Sequence, residues 1–180
     1  MAFFRVLNQF SKQRLSWALL LAFMIFFELC ALGFQHIMML SPCVNCIYER
    51  VAMLGIAGAA IIGLLAPQNG VLRWLGLAGW GYSAYRGLEI SAQHVEYQFN
   101  PSPFASCDLW VTFPSWLPLD QWAPWMFVAS GDCAEVDWIF LSLSMPQWLV
   151  IIFAANLIAL AFIVLAQFFP SKRGNPIRSL

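Results

Sequence analysis

Charged side chains are scarce in this sequence. Asp, Glu, Lys and Arg make up 10% of its 180 residues and hydrophobic residues 61%, whereas a soluble domain carries roughly 25% charged residues. This shortage excludes an ordinary water-soluble domain and predicts a protein of the lipid bilayer. The formal net charge is zero, so the chain also lacks the excess of basic charge that is typical of nucleic-acid-binding proteins.

Motifs for tightly held cofactors are missing as well. The sequence has no C-x-x-C-H haem-attachment motif, no G-x-G-x-x-G dinucleotide motif and no second close pair of cysteines. Covalently attached haem, a dinucleotide-binding fold and a four-cysteine zinc or iron–sulfur site are therefore not expected. We predict that the protein holds no metal.

Long apolar stretches dominate what remains. Four of them have about the 20 residues that a transmembrane helix needs, at approximately 15–34, 47–66, 71–90 and 148–169. The first stretch has basic residues before it, as a signal peptide does, but its apolar part is too long and no clear cleavage site follows. The sequence predicts an all-α membrane protein, a four-helix transmembrane bundle that forms a single domain over residues 1–180.

The distribution of basic residues predicts the orientation of this bundle, because they concentrate on the cytoplasmic side. With four spans, only Arg50 and Arg86 fall on the outer side, and residues 91–145 contain no Lys or Arg. Both termini are therefore expected in the cytoplasm, with outer loops at about 35–46 and 91–145. The remaining basic residues fall on the inner side: Arg5, Lys12, Arg14, Arg73, Lys172, Arg173 and Arg178.

The second outer loop is expected to be long and largely irregular. The prolines in residues 100–107 favour an extended chain, because each disfavours a helical conformation in the residue before it. Residues 113–127 contain three tryptophans among prolines and leucines. This composition predicts a segment on the membrane surface, with the indole rings at headgroup depth. The basic tail after the last span shows no evident fold.

Four of the five cysteines lie outside the predicted spans, and the first two form a close pair. Ser41 is predicted to cap a helix that has Pro42 in its first turn. Cys43, Cys46 and Arg50 then stand at i, i+3 and i+7 on one face of the helix. The N–H groups of the first turn and the Arg50 guanidinium would both favour a thiolate. This arrangement is typical of redox chemistry, whereas Cys30, within the first span, is predicted to be an inert packing residue.

The second cysteine pair leaves two interpretations open. A bond between Cys107 and Cys133 could be a structural disulfide of an oxidising compartment, worth about 3–4 kcal/mol on the chain-entropy model. Alternatively, the two outer pairs form an electron relay by thiol–disulfide exchange. The relay interpretation predicts an enzyme. The structural interpretation predicts a non-enzymatic four-span membrane scaffold whose outer loops are pinned by disulfides.

Electrons from such a relay need an acceptor, and a lipid-soluble quinone would suit an aromatic-rich cleft at the outer leaflet. Its carbonyl oxygens need hydrogen-bond donors, and Arg50, one turn beyond Cys46, is the best placed. His94 is a second candidate because its pKa suits proton handling, although it could equally be an interfacial residue. Glu28, a carboxylate inside a span, needs a polar partner in the bundle, and Arg86 and Glu89 are spaced for an ion pair.

Four motifs of the sequence resemble those of the bacterial disulfide bond formation protein B family (DsbB). They are PCVNCIYER at 42–50, PSPFASC at 101–107, FVASGDCAE at 127–135 and MPQWL at 145–149. Together they include the four outer cysteines in order and spacing. The resemblance implies a multi-pass protein of the bacterial inner membrane, with redox cysteines that face the periplasm. It also implies a thioredoxin-fold partner of the DsbA kind and a membrane quinone, ubiquinone or menaquinone, that is not covalently held at rest.

The resemblance further implies a role for each sulfur. Cys107 would form the mixed disulfide with the partner, and Cys133 would then bond to Cys43. Cys46 would be freed as a thiolate against the quinone ring. Arg50 would stabilise the charge on that thiolate and on the reduced quinone.

Overall fold

A computed structural model of the chain describes residues 2–100, 107–108 and 110–169. This part is mostly helical, as predicted, and it contains one short antiparallel hairpin in which Ile139 pairs with Ser144. The expectation of an all-α protein is therefore wrong only for these few residues. In chain order the elements are α1 Ala2–Ser11, α2 Arg14–His36, α3 Val44–Leu65, α4 Gly70–Phe99, α5 Leu119–Trp122, α6 Pro124–Phe127, β1 Ile139–Phe140, β2 Leu143–Ser144 and α7 Met145–Gln167.

Three of the described helices, α2, α3 and α7, are long and apolar enough to cross a membrane. Their bounds lie within three residues of the predicted spans 15–34, 47–66 and 148–169. The helix α4 has 30 residues, which is about 45 Å at 1.5 Å per residue. It does not pass the same test of composition, because charged, tyrosine and glycine residues interrupt its apolar sequence.

The long helices pack in sequence, with α3 between α2 and α4, and α4 in turn against α7. Two glycines allow the close approach: a Cβ on Gly63 would lie 2.3 Å from the ring of Trp17, and one on Gly87 would lie 2.3 Å from the ring of Phe153. Trp80 of α4 donates a hydrogen bond to Asn156 of α7 at 3.0 Å. Such interhelical bonds are worth about 0.6–2 kcal/mol in a bilayer, so this pair fixes how α4 lies on α7.

A helix precedes the first apolar stretch. Residues Ala2–Ser11 form the helix α1 and pack against the end of α7. The buried Asn8 side chain donates to the carbonyl of Ala166 at 2.8 Å, and the ring of Phe4 stacks on that of Phe169. The helix α1 therefore joins the N-terminal end of α2 to the C-terminal end of α7.

The predicted start of α3 is wrong, and the helix α4 is longer than the span predicted within it. The helix α3 begins at Val44 with Cys43 as its N-cap, so Ser41 is not the cap and Pro42 is not in the first turn. The helix α4 continues to Phe99, beyond the predicted end at residue 90. The segment 91–145, predicted to be an outer loop, therefore begins with more than two turns of helix, and His94 lies on that helix.

The tryptophan-rich segment 113–127 contains the short helices α5 and α6. Trp116, Trp122 and Trp125 are 75%, 64% and 58% exposed, whereas Phe127 is buried and packs its ring on Phe113. The three indole rings are thus exposed, while Phe127 attaches the segment to the rest of the protein. The place of this segment on a membrane surface stays a prediction. Most of the predicted extended stretch 100–107 and the basic tail 170–180 lie outside the described residues.

Candidate functional site

The first cysteine pair lies where α3 begins. Cys43 is the N-cap residue, and its sulfur accepts a hydrogen bond from the N–H of Cys46 at 3.2 Å. Both side chains are free thiols, with Cys43 buried and Cys46 half-buried. The N–H groups of a helix start carry partial positive charge, and the cap position places the Cys43 sulfur against that end of α3.

The second pair forms the disulfide Cys107–Cys133, with 6.1 Å between the Cα atoms. Its loop is held on the first pair by two backbone bonds, because the N–H groups of Ser130 and Gly131 both donate to the carbonyl of Pro42, at 2.9 and 3.0 Å. A Cβ on Gly131 would lie 2.2 Å from the Ser41 carbonyl oxygen, so only glycine allows this approach.

The loop contact places Cys133 beside the first pair. The sulfurs of Cys43 and Cys133 and a ring nitrogen of His94 all lie within 4.8 Å of one another. Cys133 is buried, at 1% exposed, so a partner protein cannot reach it from outside. The structure therefore brings together three of the four predicted redox cysteines, and Cys107 is the half-buried end of the second pair.

His94 connects Cys43 to a carboxylate that the sequence analysis did not identify. Its Nε2 lies 3.5 Å from the Cys43 sulfur and its Nδ1 lies 3.0 Å from Oε1 of Glu49. All three side chains are at least 97% buried. A signal for Glu49 was present, since it stands three residues after Cys46 in an otherwise apolar helix, but its partner on α4 is set by helix packing.

The charge of Glu49 changes the acidity of His94, which lies beyond the stretch 71–90 predicted to cross the bilayer. Burial lowers the pKa of His94, but the hydrogen bond to Glu49 and the negative charge of that carboxylate, with a smaller effect of Cys46, together raise it by more. The pKa of His94 is therefore above its ordinary value, which makes the ring a stronger base beside the Cys43 sulfur. The arrangement resembles the nucleophile, base and orienting acid of covalent catalysis.

Arg50 is buried one turn below Cys46 and joins three segments. Its Nη1 donates to Oε1 of Gln35 at 2.9 Å and to the carbonyl of Met126, and its Nε lies 3.6 Å from Oε2 of Glu28. Gln35 also donates to the carbonyl of Trp125 at 3.0 Å. Sequence reasoning found Arg50 and Glu28 as separate candidates, and the structure pairs them.

Arg50 and the first cysteine pair face a cavity of about 470 Å³. The helices α2 and α7 pack on α3 and α4 respectively and hardly on each other, so the cavity lies in the gap between them. Its walls are largely aromatic and aliphatic side chains from α2, the hairpin and α7, among them Phe26, Phe34, Phe140, Trp148 and Ile152. Its polar lining residues come from α2, α3, α4 and the loop before the hairpin: Glu28, Gln35, Glu49, Arg50, His94, Gln98, Asp132, Glu135 and Asp137.

Several buried polar atoms of the described site have no hydrogen-bond partner. They are the Nε of Arg50, both carboxylate oxygens of Glu28, Oε2 of Glu49 and Nδ2 of Asn45. Buried polar groups are nearly always paired, and a bound molecule is one way to satisfy them. The Arg50 Nε lies 3.6 Å from Glu28 but has no hydrogen-bond partner. It lies at a largely apolar cavity, which favours a lipophilic ligand that carries hydrogen-bond acceptors.

The site also contains donor atoms that suit a metal ion. Ligand atoms of Cys46, Glu49 and His94 lie within 4.8 Å of one another, as do those of Cys43, His94 and Cys133. The second group has its Cys133 sulfur engaged in a disulfide, and a bonded sulfur is not the thiolate that metals bind. Only the first group could therefore act as a metal ligand set in this redox state.

Comparison with known proteins identifies the family. A family model described as "Disulfide bond formation protein DsbB" matches residues 13–163. A protein named Disulfide bond formation protein B from Vibrio parahaemolyticus serotype O3:K6 (strain RIMD 2210633) is 71% identical over 178 residues, which are 99% of this chain and 100% of that protein. The protein of the same name from Vibrio cholerae serotype O1 (strain ATCC 39315 / El Tor Inaba N16961) is 66% identical, over 93% of this chain and 96% of its own length. The one from Aeromonas salmonicida (strain A449) is 52% identical, over 89% of this chain and 93% of its own length. The resemblance seen in the cysteine motifs is thus confirmed, and the chain belongs to the DsbB family of membrane proteins that form disulfide bonds.

Proposed function

We propose that this chain is a quinone-dependent protein dithiol oxidoreductase. It reoxidises a periplasmic thioredoxin-fold protein of the DsbA kind and passes the electrons to a membrane quinone, which sustains disulfide bond formation. One observation carries the proposal: Cys133 of the outer disulfide lies against Cys43, and the paired Cys46 faces an apolar cavity beside a buried arginine. The names of the relatives support the part of the proposal that concerns disulfide bond formation.

The sulfur steps are balanced exchanges of one electron pair. A partner thiolate attacks Cys107, the Cys107–Cys133 bond breaks, and Cys133 leaves as a thiolate. With the first pair in its disulfide form, Cys133 attacks Cys43 and releases Cys46. The second partner thiol then frees Cys107, which displaces Cys43 from Cys133. The partner is now a disulfide, and Cys43 and Cys46 are the two thiols seen in the structure.

The protein's own groups manage charge and protons during these steps. His94 accepts the Cys43 proton through Nε2, while Glu49 holds the ring and stabilises its positive charge. Arg50 places a cation one turn from Cys46 and favours its thiolate. Because both ring nitrogens of His94 are engaged by Cys43 and Glu49, we assign it to the thiol proton rather than to contact with the quinone.

The residues at the cavity fit a quinone. The gap between α2 and α7 gives a lipophilic ring a route from the bilayer, and the unpaired Nε of Arg50 supplies a donor for a carbonyl oxygen. The ring would be held by these contacts and by the aromatic walls, without a covalent bond at rest. Ubiquinone or menaquinone, when bound, accepts two electrons and two protons from the Cys43–Cys46 dithiol.

The proposed topology has four spans, with the first two thirds of α4 as the fourth and both termini in the cytoplasm. The charges support this. All nine acidic residues lie in or near the proposed outer half, and seven of the nine basic residues lie on the proposed inner side. In a bacterial inner membrane this orientation exposes the redox cysteines to the periplasm, and we treat residues 1–180 as one membrane domain.

The alternative function is a non-enzymatic scaffold with disulfide-pinned outer loops. It accounts for the helices and for the Cys107–Cys133 bond. It gives no reason for free thiols beside a disulfide, or for a buried histidine and carboxylate on Cys43. The geometry therefore favours the oxidoreductase.

The test is turnover of purified protein with a reduced thioredoxin-fold dithiol protein and a defined quinone, followed by quinone absorbance. We expect Cys46→Ser to abolish quinone reduction, because the sulfur next to Arg50 is removed. Cys30→Ser is the matched control and should retain turnover, since Cys30 takes no part in the relay. Quinone reduction that survives in Cys46→Ser, or partner oxidation at the same rate without quinone, would contradict the proposal.

A further inference from the structure

Arg50 and Arg86 are the only Lys or Arg residues of the sequence on the proposed outer side, and each lines a cavity together with one end of the sulfur relay. Arg50 shares the first cavity with Cys46. Arg86 lines a second cavity, of about 300 Å³, together with Cys107. The Cys107–Cys133 disulfide connects the two cavities, because Cys107 lines the second cavity and Cys133 lies against Cys43 at the first. The relay therefore has an arginine at each end.

We propose that the second cavity is the docking site for the attacking thiolate of the partner, with Arg86 as the cation that attracts and stabilises it. The inference rests on the proposed function and adds to it a recognition site for the substrate. The cavity is selective for an anionic sulfur, and Arg86 is the residue that sets this selectivity.

The walls of the second cavity are built by helix geometry. Arg86, Gln93 and Tyr97 stand at i, i+7 and i+11 on α4 and share one face of that helix. Gln93 donates to the hydroxyl of Tyr97 at 2.9 Å, which orients both side chains. Tyr48 at the start of α3 forms another wall and is itself bonded to the backbone of Thr112. The described lining is thus mostly polar, unlike that of the first cavity.

The disulfide can be attacked at only one of its two sulfurs. Cys133 is 1% exposed and lies against Cys43, whereas Cys107 is half-buried and lines the second cavity. A thiolate breaks a disulfide by bonding to one of its sulfurs and displacing the other. An attack on Cys107 from the second cavity bonds the partner sulfur to Cys107, breaks the Cys107–Cys133 bond and leaves the electron pair on Cys133, whose sulfur lies within 4.8 Å of that of Cys43.

A local cation is needed because the surroundings repel the attacking group. The thiolate is the reactive form of a thiol, and the proposed outer half carries the acidic residues of the chain, among them Asp108 in the same cavity. Arg86 is paired with Glu89, and both side chains are about half exposed. Its attraction for an anion is therefore partly compensated and screened by salt.

The experiment compares small thiols of different charge as attacking groups, in the full-length Cys43→Ser variant so that the outer disulfide is isolated from the first pair. The probes are 2-mercaptoethanesulfonate, which is anionic, cysteamine, which is cationic, and neutral 2-mercaptoethanol. The rate of disulfide reduction is followed by alkylation and mass spectrometry. The measured quantity is the rate with the anionic thiol divided by the rate with the cationic one.

We expect Arg86→Gln to lower this ratio about two- to fivefold at low salt, the effect of one exposed charge, and to have little effect in high salt. Arg86→Lys should keep most of the ratio, and Glu89→Gln should raise it. An unchanged ratio in Arg86→Gln would overturn the assignment of Arg86 and leave the proposed function standing. Resistance of the disulfide to all three thiols would overturn the proposed function itself, and with it this inference.

Discussion

His94 is the side chain on which the proposed reactivity of the first cysteine pair depends. It is buried between a sulfur and a carboxylate, and each of its ring nitrogens has one partner. Without Glu49, burial alone would lower the pKa of His94 and leave the ring a weaker base. In the proposed mechanism Glu49 is a positioning residue, which orients His94 and raises its pKa. Removing the Glu49 carboxylate should therefore change the pH dependence of turnover.

We expect Glu49→Gln to shift the acid limb of the pH–rate profile to lower pH. Neutral His94 accepts the Cys43 proton, so turnover rises as pH passes its pKa. The carboxylate raises that pKa, and replacing it with a neutral amide of the same shape lowers the value. The measurement is turnover from pH 5 to 9 at saturating partner and quinone. His94→Gln should remove the limb, and a limb at the same pH in Glu49→Gln would contradict the role given to the carboxylate.

Arg50 illustrates how a buried charge serves structure and chemistry together. Its Nη1 donates to the Gln35 side chain and to the carbonyl of Met126 in α6, while its Nε faces Glu28. Burying two opposite charges gains little stability by itself, but removing one of them costs about 3–5 kcal/mol. The pair therefore keeps a guanidinium donor at the cavity, and the short helix α6 depends on it.

Residues 130–131, which we call the clamp, hold the second cysteine pair against the first. Their two N–H groups bind the Pro42 carbonyl, and the missing side chain of Gly131 leaves room for the Ser41 backbone. Because this contact is between two backbone segments, a side-chain rotation cannot relieve a clash there. The distance between Cys133 and Cys43 thus depends on one glycine.

We expect Gly131→Ala to slow disulfide formation between Cys133 and Cys43 roughly tenfold, since overpacking of this kind costs about 1–3 kcal/mol. The rate is measured in a Cys46→Ser/Cys107→Ser background, where these two sulfurs can pair after addition of an oxidant. Gly58→Ala is the matched control, because a Cβ there meets nothing within 4 Å. If Gly131→Ala pairs its cysteines as fast as the control, the clamp has no role in the relay.

The same clamp explains why the start of α3 was predicted wrongly. Ser41 and Pro42 have the local chemistry of a helix start, but the Pro42 carbonyl is occupied by Ser130 and Gly131 and Cys43 takes the cap. Such a long-range contact leaves no mark in nearby sequence. The extension of α4 beyond residue 90 was predictable, because the sequence has no proline between residue 90 and Pro101 to end the helix.

The candidate site was predictable to the extent that it is local in sequence. The spacing of Cys43, Cys46 and Arg50 placed them on one face, and they do line one cavity. The pairing of Glu49 with His94 was not predictable, because it depends on the register of α3 against α4. That register is set by contacts such as the one between Gly55 and Ser83, which have no separate signature in either helix.

The separation of charge across the chain determines how the proposed relay is oriented. All nine acidic residues lie in or beside the segments proposed to be outside, and the basic residues of the inner side have no acidic neighbours in sequence. The positive-inside rule depends on this asymmetry, and the three helices that are apolar enough to cross a membrane do not by themselves fix it. The position of α4 decides whether both termini share a side.

Labelling of single cysteines tests this topology directly. In a variant with all native cysteines replaced by serine, we expect Ser115→Cys to react with a membrane-impermeant maleimide in spheroplasts. Gln68→Cys, in the exposed turn between α3 and α4, should react only in inverted vesicles. The reason is that a crossing α4 puts this turn in the cytoplasm and the tryptophan-rich segment outside. Labelling of Gln68→Cys in spheroplasts would mean that the orientation is reversed, and labelling of both positions from one side would mean that α4 does not cross the membrane.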